Sequence, residues 1–306
     1  MNSFMLNEFK MKYIFLGDVN SINIELILKS HKFLKKKINY IVICDKSEFN
    51  GYIKKINSKI IVNEILDPLK FTNYRESSIN IFNIENKFKE KYKNLLSQLK
   101  LSNELCLATG FDLITMPIDK SIFKKNISFN GMTEYLGKIN KRNTAMLMYG
   151  ENFSVLPLTT HINLKHVHKN LKQSYLKKSL KNIMSHLKVK KYKLNFKYYK
   201  FLCYNPHCGE NKTIGDEDYK IAKLLGNYFK EISGPISADS AFQNLEKGTL
   251  FISTYHDQAL IPFKILNKKG VNLTIGLDYR RFSPAHGTAK DIKFKNKANT
   301  SSYIQC

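Results

Sequence analysis

No two cysteines in this sequence stand at CxxC spacing, and their number, five, is odd. Cys44, Cys106, Cys203, Cys208 and Cys306 are therefore expected as free thiols in a reducing compartment, which points to the cytoplasm. No apolar run approaches the roughly 20 residues that a membrane helix needs. The opening MNSFMLNEFKMKYIFLGD lacks the basic-then-apolar order of a secretory signal. Neither a membrane nor a cleaved leader is expected. Proline-rich and glycine-rich linkers, internal repeats and low-complexity tracts other than lysine richness are missing too, so composition marks no boundary between lobes.

Arginine is the other scarcity. Of 50 basic residues only Arg75, Arg142, Arg280 and Arg281 are arginine, although the formal net charge is +25. Such a charge suits phosphate neutralisation, but reading bases and forking onto phosphates are typically arginine work. Lysines dispersed among abundant Asn and Ile read instead as a solvated surface, and no nucleic-acid partner is expected.

What is present is enough apolar material, 43% of 306 residues, for one large core or two modest ones. Apolar runs recur at KYIFLGD (12–18), YIVICD (40–45), LITMP (113–117), FSVLPLTTH (153–161), YYKFLCYNPH (198–207) and TLFISTYHD (249–257). Stretches 85–100, 168–188 and 216–232 space apolar residues three and four apart, as one-sided helices do. This alternation predicts an α/β protein with buried strands under helices.

Three histidines share one local context, just past an apolar strand-like run: His161, His207 and His256. Ligands of α/β sheets bind at the carboxyl ends of strands. One histidine so placed is ordinarily a structural hydrogen-bonder; three alike favour a shared metal, because neutral imidazole is the commonest metal ligand. His31, His166, His168 and His186 read as surface residues. The segments GPISADSAF (234–242), YHDQALIPFK (255–264), GVNLTIGL (270–277) and RRFSPAHGTAKDI (280–292) read as crowded polar loops. Arg280 and Arg281 suit an anionic small substrate, and a salt bridge to a carboxylate such as Asp278 or Asp291 explains them equally well.

The segments Thr159-Thr160-His161, Asn205-Pro206-His207-Cys208-Gly209-Glu210, Gly234-Pro235 with Ala238-Asp239, Tyr255-His256-Asp257-Gln258, Val271-Asn272-Leu273-Thr274 and His286-Gly287-Thr288-Ala289 resemble, in order, the motifs of the 4-hydroxythreonine-4-phosphate dehydrogenase family of vitamin B6 synthesis. The resemblance runs from Gly17-Asp18 to Lys297-Ala298. It implies a two-lobed α/β/α dehydrogenase of the isocitrate/isopropylmalate dehydrogenase-like type, with one lobe at about 12–130 plus 275–306 and the other at about 131–274. It also implies a homodimer with its active site at the interface. The reaction so implied is NAD- or NADP-dependent oxidation of a small phosphorylated hydroxy-amino acid, 4-phosphohydroxy-L-threonine. The β-keto acid formed would decarboxylate to 3-amino-2-oxopropyl phosphate. Another four-carbon phosphorylated hydroxy acid, or a catalytically weakened homologue, is the alternative.

Roles come with the resemblance. His161, His207 and His256 match the family's ligands to one divalent metal ion (Zn, Mg, Co or Mn). Met132, Thr133, Lys264, Asn272 and Arg281 match its substrate-holding positions, and Lys120 a further lysine. Lys264 and Asp257 are the expected catalytic residues. Gly287, Thr288, Ala289 and Asp291 correspond to a stretch that related dehydrogenases use near the dinucleotide. Three departures stand out: the family's glycine-rich opening is here Val19-Asn20-Ser21-Ile22-Asn23-Ile24-Glu25, its substrate-binding histidine is Met132, and its final helix is cut short at Cys306.

Overall fold

The structure, a computed structural model, describes residues 11–123, 129, 131–187, 192, 194–267 and 269–306. It divides into two compact units, Met1–Phe129 with Asp278–Cys306, and Asn130–Leu277.

The first unit opens with β1 (Met11–Phe15), α1 (Asn23–Leu34), β2 (Asn39–Cys44), α2 (Lys46–Lys55), β3 (Val62–Ile65), β4 (Ile79–Asn83), α3 (Lys91–Thr109) and β5 (Asp112–Thr115). Every residue of β1 and β5 is buried, which is why these strands read as continuous apolar runs rather than alternating ones. Asp45 starts α2 by accepting from the amides of Ser47 and Glu48 at 2.8 and 3.2 Å. Its other oxygen takes the Asn86 amide at 2.8 Å, and Asn94 takes that of Phe88. Residues 85–90, expected as the first turns of a helix, are thus held as a lead-in, and α3 begins at Lys91 and runs on to Thr109.

The second unit contains α4 (Met132–Ile139), β6 (Ala145–Gly150), β7 (Ser154–Pro157), α5 (Val167–Asn170), α6 (Gln173–Leu187), β8 (Tyr198–Leu202), α7 (Glu217–Gly226), β9 (Ile232–Ile236), β10 (Thr249–Ser253), α8 (His256–Leu266) and β11 (Gly270–Ile275). Its strands lie in the order β11-β6-β7-β10-β8-β9. β7, β10, β8 and β9 are mutually parallel, while β6 runs against both of its neighbours. The single helix expected over 168–188 is broken at Leu171 and Lys172.

The chain then returns to the first unit with β12 (Arg281–Pro284) and α9 (Ser301–Gln305). β12 pairs parallel with β5, completing the order β3-β4-β2-β1-β5-β12. The reading of 234–242, 255–264, 270–277 and 280–292 as loops is thereby corrected: they contribute to β9, α8, β11 and β12. Their glycines and polar residues hid three short strands and one helix whose hydrogen bonds are made by the backbone. His31 is also corrected. It is 7% exposed, with Nδ1 2.6 Å from the Tyr40 hydroxyl, so it is a core hydrogen-bonder. Arg280 makes the salt bridge to a carboxylate that the sequence allowed, with Asp112, bound through Nε and Nη2 at 2.7 and 2.6 Å.

Candidate active site

His161, His256 and His207 follow β7, β10 and β8, three adjacent parallel strands, and so lie at one end of the sheet of the second unit. The rings of His161 and His256 are 5.5 Å apart between centroids. Together with Thr160, Ile162, Leu164, Val167, Tyr255 and Asp257 they line a cavity of about 200 Å³. A larger cavity of about 480 Å³, between α5, α6 and α7, contains none of the expected site residues.

Each of the three rings has a carboxylate on the same nitrogen. Nδ1 of His161 is 2.9 Å from Glu134, Nδ1 of His207 is 2.7 Å from Glu210, and Nδ1 of His256 is 2.6 Å from Asp257. An ionised carboxylate only accepts, so Nδ1 carries the proton and donates, and the lone pair of each neutral ring is left on Nε2. Metal-binding histidines are held in this way. Four of the other five histidines differ: Nδ1 of His186 and His286 meets backbone carbonyls, that of His31 a tyrosine, and that of His168 stands 3.9 Å from Glu217. The donor set therefore fits a divalent cation held by imidazole Nε2 atoms. Among the described residues of one chain, no three His, Cys, Asp or Glu side chains gather at a single point. His207 stands apart from the other two, with Nε2 4.0 Å from Asp239, which follows β9.

The backbone around His207 is unusual. From His207 to Lys212 every φ is positive, at 46, 58, 79, 42, 53 and 75°. A left-handed turn costs each non-glycine residue roughly 1–2 kcal/mol, so it persists only where its surroundings impose it. Buried Asp218 fixes the approach by accepting the amides of Tyr204 and Asn205. Glu210 beside His207 raises the imidazole's pKa, first through its hydrogen bond, then through its charge and that of Asp239. At Glu134 burial works against ionisation. The His161 hydrogen bond and charge, its own amide and the Thr160 hydroxyl overcome it and hold the carboxyl at about 2.

The substrate candidates fall in both units. Thr133 is buried, its hydroxyl 3.1 Å from that of Thr274, and Met132 is half-buried beside it. Lys264 is exposed on α8. The side-chain oxygen of Asn272, on β11, is buried with no hydrogen-bond partner among the described residues, a cost that a bound donor would relieve. In the first unit Arg281 is 2% exposed and its guanidinium bonds the Thr115 hydroxyl through Nε (2.8 Å) and Nη2.

The dinucleotide candidates also belong to the first unit. There β1 lies between β2 and β5, which makes the carboxyl ends of β1 and β5 the switch point where open α/β sheets bind ligands. Thr288 O accepts the Ile22 amide at 3.2 Å, and Lys290, between Ala289 and Asp291, ion-pairs with Asp119 after β5. The stretch 287–291 thus sits at that switch point, with Gly287 exposed. Gly17 has φ +72°, and a Cβ there would lie 2.6 Å from Pro117 O. Asn23 ties the altered opening together, its side-chain Nδ2 donating to both Leu16 O and Pro117 O at 2.8 Å.

A model of the family described as "Pyridoxal phosphate biosynthetic protein PdxA" matches residues 25–306. The chain belongs to the PdxA family. It is accordingly an oxidoreductase of pyridoxal phosphate biosynthesis. Among its relatives, the 4-hydroxythreonine-4-phosphate dehydrogenase of Aquifex aeolicus (strain VF5) is 35% identical, with 95% of this chain and 94% of that protein covered. The enzyme of the same name from Hydrogenobaculum sp. (strain Y04AAS1) is 34% identical, with 94% of each covered. The solved 4-hydroxythreonine-4-phosphate dehydrogenase of Klebsiella pneumoniae superposes with TM-score 0.78 at 24% identity, over 96% of both chains. A terephthalate 1,2-cis-dihydrodiol dehydrogenase from Burkholderia xenovorans LB400 follows the same fold, with TM-score 0.61 at 18% identity over 96% of this chain and 95% of that one. These likenesses establish the two-unit α/β dehydrogenase architecture in this PdxA-family chain. Sequence reasoning passed over Glu134, Glu210 and Asp239 as functional groups. For Glu210, three residues after His207, spacing was the available signal; for Glu134, 27 residues before His161, there was none.

Proposed function

We propose that this chain oxidises 4-phosphohydroxy-L-threonine with NAD or NADP to a β-keto acid that loses carbon dioxide to give 3-amino-2-oxopropyl phosphate. The observation that carries the reading is the trio of histidines at the ends of three adjacent parallel strands, each with Nδ1 on a carboxylate. Nε2 of His161, His207 and His256 would hold one divalent cation (Zn, Mg, Co or Mn), which supplies a Lewis acid at the substrate's oxygens. Asp257 orients His256. Lys264 offers an ammonium to the negative charge that develops as carbon dioxide leaves, and Asn272, Thr133 and Arg281 hold the polar ends of the substrate. Binding at the non-reacting phosphate positions the carbon that gives up hydride. Gly287, Thr288, Ala289 and Asp291 face the dinucleotide.

The working form is a homodimer that completes its site from both copies. Its support is the separation of His207 from the other two histidines and the apolar face of α8, where Ile261 and Ile265 are 59% and 72% exposed beside Lys264. The five free thiols suit the cytoplasm. Among the described residues no helix is long and apolar enough to cross a membrane. Met132, a side chain that cannot donate to phosphate, favours a second reading in which another four-carbon phosphorylated hydroxy acid is the substrate. Dinucleotide reduction measured across a panel of such acids, with and without chelator, tests both. Turnover of phosphohydroxythreonine that stops on chelation supports the first, turnover only of phosphothreonate or phosphoerythronate supports the second, and chelator-resistant turnover refutes the cation.

A further inference from the structure

The three carboxylates that engage the histidines are not alike. Asp257 and Glu210 are one and three residues from their rings, with side chains 69% and 52% exposed. Glu134 reaches His161 across 27 residues from the first turn of α4, and its side chain is 32% exposed. Oε1 is shared between His161 Nδ1 at 2.9 Å and the Thr160 hydroxyl at 2.8 Å, and Oε2 is buried with no hydrogen-bond partner among the described residues. The turn that carries it is anchored, since Thr133 is buried against Thr274 and its carbonyl accepts from Thr144 Oγ1 at 2.9 Å. Space is reserved for the pair at Gly131, where a Cβ would stand 2.5 Å from Glu134 Oε2 and 3.0 Å from His161 Nδ1.

We infer that Glu134 is a positioning residue, a carboxylate on a rigid helix turn that fixes His161 as its Nδ1–H tautomer and aims Nε2 at the cation. The inference rests on the reading of His161 as a cation ligand. A neutral imidazole has one N–H. Committing it to Glu134 leaves Nε2 as the only lone pair, and the carboxylate's charge makes that nitrogen a better base. Asp257, in the first turn of α8, and Glu210, in the left-handed turn after β8, offer the same bond from more exposed side chains that compete with water. Glu134 acts from a scaffold position, the arrangement by which a ligand is held in geometry before the cation arrives.

Two measurements on the purified full chain test this. In metal-free, ¹⁵N-labelled protein, long-range ¹⁵N–¹H correlation reads the tautomer of His161, assigned by its loss in His161→Gln. Wild type should show protonated Nδ1, and Glu134→Ala should move toward the Nε2–H form that free imidazole side chains prefer. Titration with Co²⁺ alone, followed by its visible absorption, should give affinity about 10- to 100-fold weaker in Glu134→Ala. Glu134→Gln, which keeps an acceptor but loses the charge, should fall between the two. An unchanged tautomer together with unchanged Co²⁺ affinity in Glu134→Ala overturns the inference. Should Glu134→Ala fail to fold, Glu134→Gln decides the matter: several-fold weaker Co²⁺ binding supports the role, and wild-type affinity overturns it. Should wild type take up no Co²⁺, the cation reading falls, and the tautomer measurement still judges Glu134.

Discussion

Replacing Gly131 by alanine probes the site through one methyl group. The backbone there is extended, with φ 179°, so alanine meets no torsional obstacle. The obstacle is contact: the new Cβ would lie 2.5 Å from Glu134 Oε2, 3.0 Å from His161 Nδ1 and 3.1 Å from His161 Cε1, where ordinary contact begins at 3.4 Å. The carboxylate must withdraw by about 0.9 Å and the ring by about 0.3–0.4 Å. Displacements near 1 Å in a group that orients the chemistry cost on the order of 100-fold in rate, or about 2.7 kcal/mol. The fold should scarcely notice, because both obstructing groups are side-chain ends and because losing a glycine lowers the unfolded chain's entropy by an amount worth about 0.4–1 kcal/mol. The expected result is kcat/KM down about 100-fold by dinucleotide reduction, with the unfolding midpoint within a few degrees of wild type. Gly51→Ala is the control. It lies inside α2 with nothing within 4 Å of its Cβ and should be neutral or stabilising. Wild-type kcat/KM in Gly131→Ala would refute the reasoning.

Arg281→Ala should lower kcat/KM by about 2–4 kcal/mol, as loss of a charged hydrogen-bond partner does, and unchanged kinetics would remove it from the site. Asp112, buried between Arg280 and Lys12, should be costly to remove: Asp112→Ala leaves two cations without their carboxylate and should lose about 3–5 kcal/mol in denaturant unfolding, whereas a loss under about 1 kcal/mol would contradict the network. Burial lowers the pKa of His31 first, Lys35 adding its charge, against the raising effect of a backbone hydrogen bond with Ser77. A base whose folded pKa is depressed contributes stability that is present above its ordinary value of 6.5 and lost as pH falls from there through the folded value. Thermal midpoints should therefore decline from pH 7 to pH 5, and His31→Gln should flatten that slope; an identical slope would exclude His31 as its source.

Legibility followed burial. β1, β2, β5 and β10 stood out because strands covered on both faces are written as unbroken apolar runs. The histidines after β7, β8 and β10 were legible for the same reason, since a run that ends marks a strand's carboxyl end. β9, with Gly234 and Pro235 inside it, and β12, with Arg281 and Ser283, were hidden because four or five residues of mixed polarity carry no period. The left-handed path from His207 to Lys212 had no sequence mark beyond Gly209, as only the surrounding fold imposes it. The Glu134–His161 pair was hidden by distance along the chain, for nothing local to either residue requires the other.

The second unit is uninterrupted in sequence, whereas the first is closed only by β12. Thr115 and Arg281 are 166 positions apart. At synthesis rates of about 5–20 residues per second, β5 leaves the ribosome roughly 8–33 s before its neighbour exists. Throughout that interval the nascent first unit presents β5 as an open edge, a template for wrong strands, and the second unit, complete at Leu277, has everything it needs to fold before Arg281 is added. Birth order thus runs opposite to chain order. The half made first is finished last, and Asp112 and Thr115 wait for the two arginines that clasp them.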